Sequence, residues 1–252
     1  MLLCIDIEDR SPLYPLMEPR PRRTAMIITT TLYPEVGLGS ARTPGPGQTQ
    51  QQIRFNEYLV GISQAIRLCT ECGVEPIIVE NSMHAVWQDP AAQPAGQHGT
   101  ILDTLGVQVL YTDSSRLALR DPARWKGIRE FMDISLAINK LGLRDTDMVI
   151  KLTGRYVLLD DEFIRQVIEH SETHDVVAKY NGSSSVELGV FASKAELFQA
   201  IAAIRMFNLS SQPEIIAAET ASQIFCQERI LKLETLHLQR KWAGVNDVAQ
   251  DV

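Results

Sequence analysis

Residues 147–163 read DMVIKLTGRYVLLDDEF, and the fold class turns on this stretch. Met148–Leu152 is short and apolar, the composition of a strand buried on both faces. Lys151 interrupts it, and Thr153, Gly154, Arg155 and Tyr156 follow at once. A lysine in a buried strand costs desolvation free energy unless an anion compensates it. Two cations where a strand leaves the core therefore require a partner, either an internal carboxylate or a bound anion. Asp160, Asp161 and Glu162 then open a helical pattern (160–172), with acids in the first turn where the helix dipole favours them.

Working outward, apolar runs with strand character lie at 24–34, 75–82 and 107–112. Helical periodicity separates them. Ile53, Tyr58, Ile62, Ala65, Ile66 and Cys69 share one face of a helix that Gly73 ends. A short helix is expected near 100–105, and a strongly amphipathic one over 126–142, closed by Gly142. After the opening stretch come two strands, 175–182 and 186–193, joined by an Asn-Gly turn. Helices over 194–207 and 213–233 follow. Repeated β-α-β alternation, then an antiparallel pair and helices, predicts a three-layer α/β/α sandwich with a mostly parallel sheet and C-terminal helices. Its first half should be Rossmann-like.

Residues 1–23 hold four prolines and end in RPRR. They have no apolar period and read as an extended or disordered arm. Residues 24–245 read as one domain and 246–252 as a tail. The chain has 252 residues, 45% hydrophobic and 22% charged, ordinary values for a globular protein. A net charge of −7 argues against a nucleic-acid binder, which presents a basic face. The N-terminus lacks the basic head and apolar run of a secretory signal. A cytoplasmic protein is expected, with peripheral contact at the inner face of the membrane still compatible.

In an open α/β sheet, ligands bind beyond the carboxyl ends of the strands. Thr29, Thr30 and Thr31 follow the first strand; Glu80 and Asn81 end the second; Thr153, Gly154, Arg155 and Tyr156 follow the fourth. Polar groups converging from three strand ends are the layout of a nucleotide pocket. Gly154 lets a backbone approach closely, and Arg155 offers the planar fork that suits phosphate. Lys126 and Arg129 open a helix, where free N–H groups also attract anions. The competing reading for Lys151 and Arg155 is an internal salt bridge.

Four segments, RFNEYLVGI (54–62), PIIVENS (76–82), KGIRE (126–130) and DMVIKLTGRY (147–156), occur in an order that resembles bacterial and large-virus GT-A-type glycosyltransferases of capsule, O-antigen or viral glycan synthesis. The resemblance spans about 24–245, and KLTGRY is its most specific piece. It implies a GT-A-like fold, a nucleotide-sugar donor and a glycan or lipid-linked acceptor. It also adds Arg54 to the donor-binding candidates. Members of that class usually carry Asp-x-Asp at the end of the fourth strand to hold Mn2+ or Mg2+; here TGRY stands there. The resemblance therefore allows metal independence, with Lys151 and Arg155 doing the ion's electrostatic work. No residue is assigned as a metal ligand, and Asp160 and Asp161 are the nearest acids. A catalytic base late in the chain is also implied, for which Glu219 and Glu187 are the candidates.

Two other readings remain open on the residues alone: a nucleotidyltransferase-like enzyme and a non-catalytic nucleotide-binding protein. Cys69 and Cys72 form a CxxC at the end of a helix, whereas a redox pair opens one, and they read as packing residues. His170 and His174 lack the glutamate of a metalloprotease motif and read as a helix end.

Overall fold

A computed structural model describes residues 21–32, 49–81, 98–112, 122–207 and 213–239. Side chains at 50–51, 98–100, 122–129 and 204–207 lie outside that description. The strands are β1 (Thr24–Thr30), β2 (Glu75–Glu80), β3 (Gln108–Tyr111), β4 (Met148–Thr153), β5 (Val157–Leu158), β6 (Val176–Asn181), β7 (Ser185–Val186), β8 (Val190–Lys194), β9 (Ile230–Leu233) and β10 (Leu238–Gln239). The helices are α1 (Gln50–Cys72), α2 (His98–Asp103), α3 (Pro122–Lys140), α4 (Glu162–His170), α5 (Ala195–Phe207) and α6 (Pro213–Ile224).

Eight strands form one sheet in the order β3-β2-β1-β4-β8-β6-β7, with β9 beside β6. β3, β2, β1 and β4 are mutually parallel, and β8 runs antiparallel between β4 and β6. β9 adds a parallel edge to β6. The chain leaves β1 toward β2 on one side and later enters β4 on the other, so the carboxyl ends of β1 and β4 form a topological switch point.

Alternating residues of the strands feed two cores. Ala25, Ile27, Ile77 and Val149 pack against Phe131, Ile134 and Ile138 of α3 and against α5 and α6. Met26, Ile28, Ile78 and Ile150 pack against Tyr58, Ile62 and Ala65 of α1, and α4 and Leu102 of α2 join that side. The expected three-layer α/β/α sandwich is what forms.

Several boundaries differ from those read in the sequence. α1 starts at Gln50, three residues early, because Thr49 and Gln52 make a reciprocal capping box. α3 starts at Pro122, well suited to a first helical position. The helix expected over 213–233 ends at Ile224; a 3-10 turn (Gln227–Arg229) follows, then strand β9. Asp175 takes both the Nε and an Nη of Arg229, at 2.5 and 2.6 Å, and so draws this segment to the start of β6. The two-stranded pairing of β5 with β10 had no clear sequence pattern. The Asn-Gly turn forms, with Gly182 at φ 70°, but the strand expected over 186–193 is divided into β7 and β8, each of which pairs with β6.

The expected N-terminal arm falls mostly on residues outside the described ones. Its last residues are part of the domain edge: the Arg23 carbonyl accepts the Met148 N–H, and Arg22 and Arg23 pair with Glu172 and Glu75. The tail from 240 onward lies outside the described residues. Among the described residues no helix is long and apolar enough to cross a membrane.

Candidate functional site

Consecutive strand residues point to opposite faces, so the carboxyl edge divides in two. Thr30 and Glu80 face α1; Thr29, Lys151 and Thr153 face α3.

On the α1 side, Glu80 is fully buried. It accepts a hydrogen bond from the Thr30 hydroxyl at 2.5 Å and another from the Leu32 backbone N–H. Arg54 is buried as well; its Nε donates to the Thr31 carbonyl at 2.9 Å and an Nη to the Tyr58 hydroxyl at 3.3 Å. These groups tie the end of β1 to α1 and β2. Arg155 differs. Its side chain is 26% exposed, one Nη lies 4.0 Å from Glu57, and its guanidinium lies 6.0 Å from the Tyr58 ring centroid. Its Nε is buried without a hydrogen-bond partner.

Gly154 was expected to bring backbone close to a ligand. The close approach is instead to protein. A Cβ there would lie 3.0 Å from Thr30 Cγ2 and from Tyr58 Cδ1, and the Gly154 N–H donates to the Thr29 carbonyl. Tyr156 likewise packs inward, against the flat face offered by Gly189.

On the α3 side, Lys151 is 1% exposed and all three of its ammonium protons have acceptors: the Leu188 carbonyl, Thr153 Oγ1 at 2.8 Å and Glu130 Oε1 at 3.0 Å. The internal ion pair, the competing reading for Lys151, is thus the arrangement present. Glu130, on α3, was not singled out in the sequence. Its Oε1 also accepts from Thr29 Oγ1 at 2.5 Å and Thr153 Oγ1 at 3.0 Å. Burial pushes the Glu130 carboxyl up, but the Lys151 ammonium and these hydrogen bonds outweigh it and hold the carboxyl below its ordinary value. A run of buried polar groups continues along the edge. Thr31 donates to Asn81 Oδ1 at 2.7 Å, and Asn81 donates to buried Asp133 at 2.8 Å.

Lys126 lies on α3, four residues past its first residue, rather than on the free N–H groups at the start; its side chain and that of Arg129 lie outside the described residues. The segment 187–189 runs against the end of β4, since the Leu188 carbonyl accepts from Lys151 and the Gly189 carbonyl from the Thr153 N–H. Glu187 is buried there and accepts the Gly189 N–H at 2.8 Å. Glu219 is exposed on α6.

For a divalent ion, the described residues contain no group of three His, Cys, Asp or Glu side chains able to hold one. Asp160 pairs with His237 at 2.8 Å and Asp161 with Arg165 at 2.7 Å. Asp161 also lies 3.8 Å from Cys72, the last residue of α1. At about 1.5 Å rise per residue, Cys72 is roughly 21 Å along the helix from Tyr58. The two acids thus stand at the far end of α1 from Arg155, do not fit a metal at the switch point, and no chemical step runs through one. Cys69 packs on Met26, and burial pushes its thiol up to about 12.

No protein-family model and no curated protein matches the chain. Solved structures do resemble it. One is a cytidylyltransferase from Leptospira borgpetersenii, at 10% identity and TM-score 0.46, covering 84% of this chain and 76% of that one. Another, from Desulfovibrio desulfuricans and assigned as a nucleotide-diphospho-sugar transferase, has 11% identity and TM-score 0.49, with 83% and 79% covered. A third is 4-diphosphocytidyl-2C-methyl-D-erythritol synthase from Anaerococcus prevotii, at 11% and 0.48, with 84% and 88% covered. At such identities and scores the likeness assigns no activity.

Proposed function

We propose that the protein is a glycosyltransferase that takes a nucleotide-sugar donor at the carboxyl edge of β1, β2 and β4 and passes the sugar to a glycan or lipid-linked acceptor. The observation that carries this reading is Arg155. It stands beside the switch point with a buried Nε that has no partner and only a loose 4.0 Å approach to Glu57. The rest of the guanidinium is partly exposed, the side chain being 26% accessible, and its planar fork suits a diphosphate. In transfer, the acceptor oxygen bonds to the anomeric carbon and the bond to the diphosphate oxygen breaks. Charge then grows on the leaving diphosphate, where a fixed cation lowers the barrier. Thr31, Asn81 and the buried Glu80 frame the neighbouring strand ends, where the nucleoside is proposed to lie. Of the two candidate bases, Glu187 is better supported than Glu219 because residues 187–189 line the end of β4.

The test is titration of UDP and uridine, and of the GDP, CMP and dTDP series with their nucleosides, against wild type and Arg155→Ala. The substitution should weaken nucleotide binding roughly ten- to a hundredfold, the worth of one charge-assisted hydrogen bond, and leave nucleoside binding unchanged. Equal losses for nucleotide and nucleoside, or none, would overturn the assignment. Arg155 could serve nucleotidyl transfer equally well, so the same protein is assayed for pyrophosphate release from nucleoside triphosphates with a sugar phosphate. Release there, with no transfer from nucleotide sugars, would select the nucleotidyltransferase reading.

A further inference from the structure

The carboxylate of Glu130 is used on one oxygen only. Oε1 collects the Thr29 hydroxyl, the Thr153 hydroxyl and the Lys151 ammonium. Oε2 carries no hydrogen bond among the described residues, and the side chain is 23% exposed. Thr29 is the last but one residue of β1 and Thr153 ends β4, so this carboxylate stands at the switch point, on the opposite face of the sheet from Arg155. We propose that Glu130 is a specificity-determining residue whose Oε2 accepts hydrogen bonds from sugar hydroxyls of the bound nucleotide sugar.

The chemistry follows from how the group is held. Three donors on Oε1 fix the orientation of the carboxylate before any ligand arrives, so little rotamer entropy remains to be lost on binding. Those same contacts keep it ionised, which makes it an acceptor and not a donor. A carboxylate repels phosphate oxygens and is suited to a neutral polyol. Lys151 offsets its charge internally, which keeps that repulsion from spreading to a diphosphate bound near Arg155. The edge therefore offers an anion-binding cation on the α1 side and a hydroxyl acceptor on the α3 side. A nucleotide sugar presents both complementary parts. This inference also explains why a chain would bury a lysine in β4: the ammonium orients Glu130 rather than meeting the ligand.

The inference rests on the nucleotide-sugar reading, and the experiment separates the two. UDP, dUDP and UDP-glucose, with GDP, dGDP and GDP-mannose, are titrated against wild type, Glu130→Gln and the double variant Glu130→Gln/Lys151→Met. The double variant removes the lysine charge that Glu130→Gln would strand, and thermal melting of both reports folding. Both variants should bind the sugar-bearing or ribose-bearing probe about ten- to a hundredfold more weakly than wild type, while the probe lacking the contacted hydroxyl changes less than threefold. Loss confined to the nucleotide sugars marks the transferred sugar as the contact. Loss for UDP as well, but not dUDP, marks the ribose. Equal loss across all probes, or no loss in the folded double variant, overturns the inference while leaving the function reading intact. A wild type that binds none of the probes overturns both.

Discussion

Single residues show how little of a polar site is decided by residue type. Lys151 and Arg155 lie four positions apart and carry the same charge, yet one is saturated inside the protein and the other keeps an unsatisfied N–H. The sequence flagged both as needing an anion. It could not tell them apart, because the partner of Lys151 comes from α3, on another layer of the fold. Asp147 was read only as the start of a strand segment. It is buried and accepts the N–H groups of Arg23 and Arg144 and the Arg144 guanidinium, at 2.8 to 3.1 Å. Burial pushes its carboxyl up, but these hydrogen bonds hold it below its ordinary value. A carboxyl depressed in the folded state contributes stability that is present above the unfolded value, about 3.9, and is lost as pH falls through the folded value. Asp147→Asn should therefore cost about 2 kcal/mol at pH 7. The gap from wild type should shrink below about pH 4. Urea denaturation at pH 7 and pH 3 measures this, and an undiminished gap at pH 3 would show that the loss is packing rather than charge.

At the scale of elements, periodicity and capping carried most of what was legible. α1 could be read from its apolar face and from Gly73, which ends it in the left-handed conformation at φ 69°. Its role in the site could not. Gly61 lies in mid-helix, where glycine ordinarily costs about 1 kcal/mol relative to alanine. A Cβ at that position would sit 2.2 Å from the Gly154 carbonyl oxygen and 2.7 Å from that of Tyr156. The helix therefore rests directly on the turn that carries Arg155, and the contact needs the missing side chain. Gly61→Ala should destabilise the fold by about 1–3 kcal/mol despite its better helix propensity, and should weaken UDP binding by displacing the turn. Chemical denaturation reads the first effect and titration the second; a stabilised variant would mean that α1 does not press on this turn. The failure over 213–233 has a different cause. Ile230–Leu233 carries no pattern that separates a strand from a helical turn, and an edge position beside β6 decides the matter.

For the whole molecule, the question of metal dependence is one of distance. Asp160 and Asp161 lie only five and six residues after Arg155 in the sequence, near enough to pass for a displaced metal motif. β5 carries the chain back along α1, and Gln64 on that helix donates to the Leu158 carbonyl. The two acids end up by Cys72, roughly 21 Å along α1 from Tyr58. Replacing both with asparagine should leave UDP affinity, and any effect of EDTA on it, within about twofold of wild type, since solvent and salt screen exposed charges over such a distance. A tenfold loss, or a metal response abolished by the pair of substitutions, would put the ion back at the strand ends.

The alternation of strands and helices, the buried parallel character of β1, β2 and β4, and the meeting of their polar carboxyl ends at one edge follow from the order of residues alone. Those features rest on local physics: side-chain period, caps, turn residues and the exclusion of polar groups from strand interiors. Which of those polar groups remain available depends on how the layers pack. Glu80 and Arg54 are consumed in holding β1, Lys151 in its pair with Glu130, and Gly154 in close packing against Thr30 and Tyr58, whereas Arg155 and Glu130 keep partly exposed side chains. A buried hydrogen bond or ion pair joins residues far apart in the chain, and its formation depends on distances that no local pattern encodes.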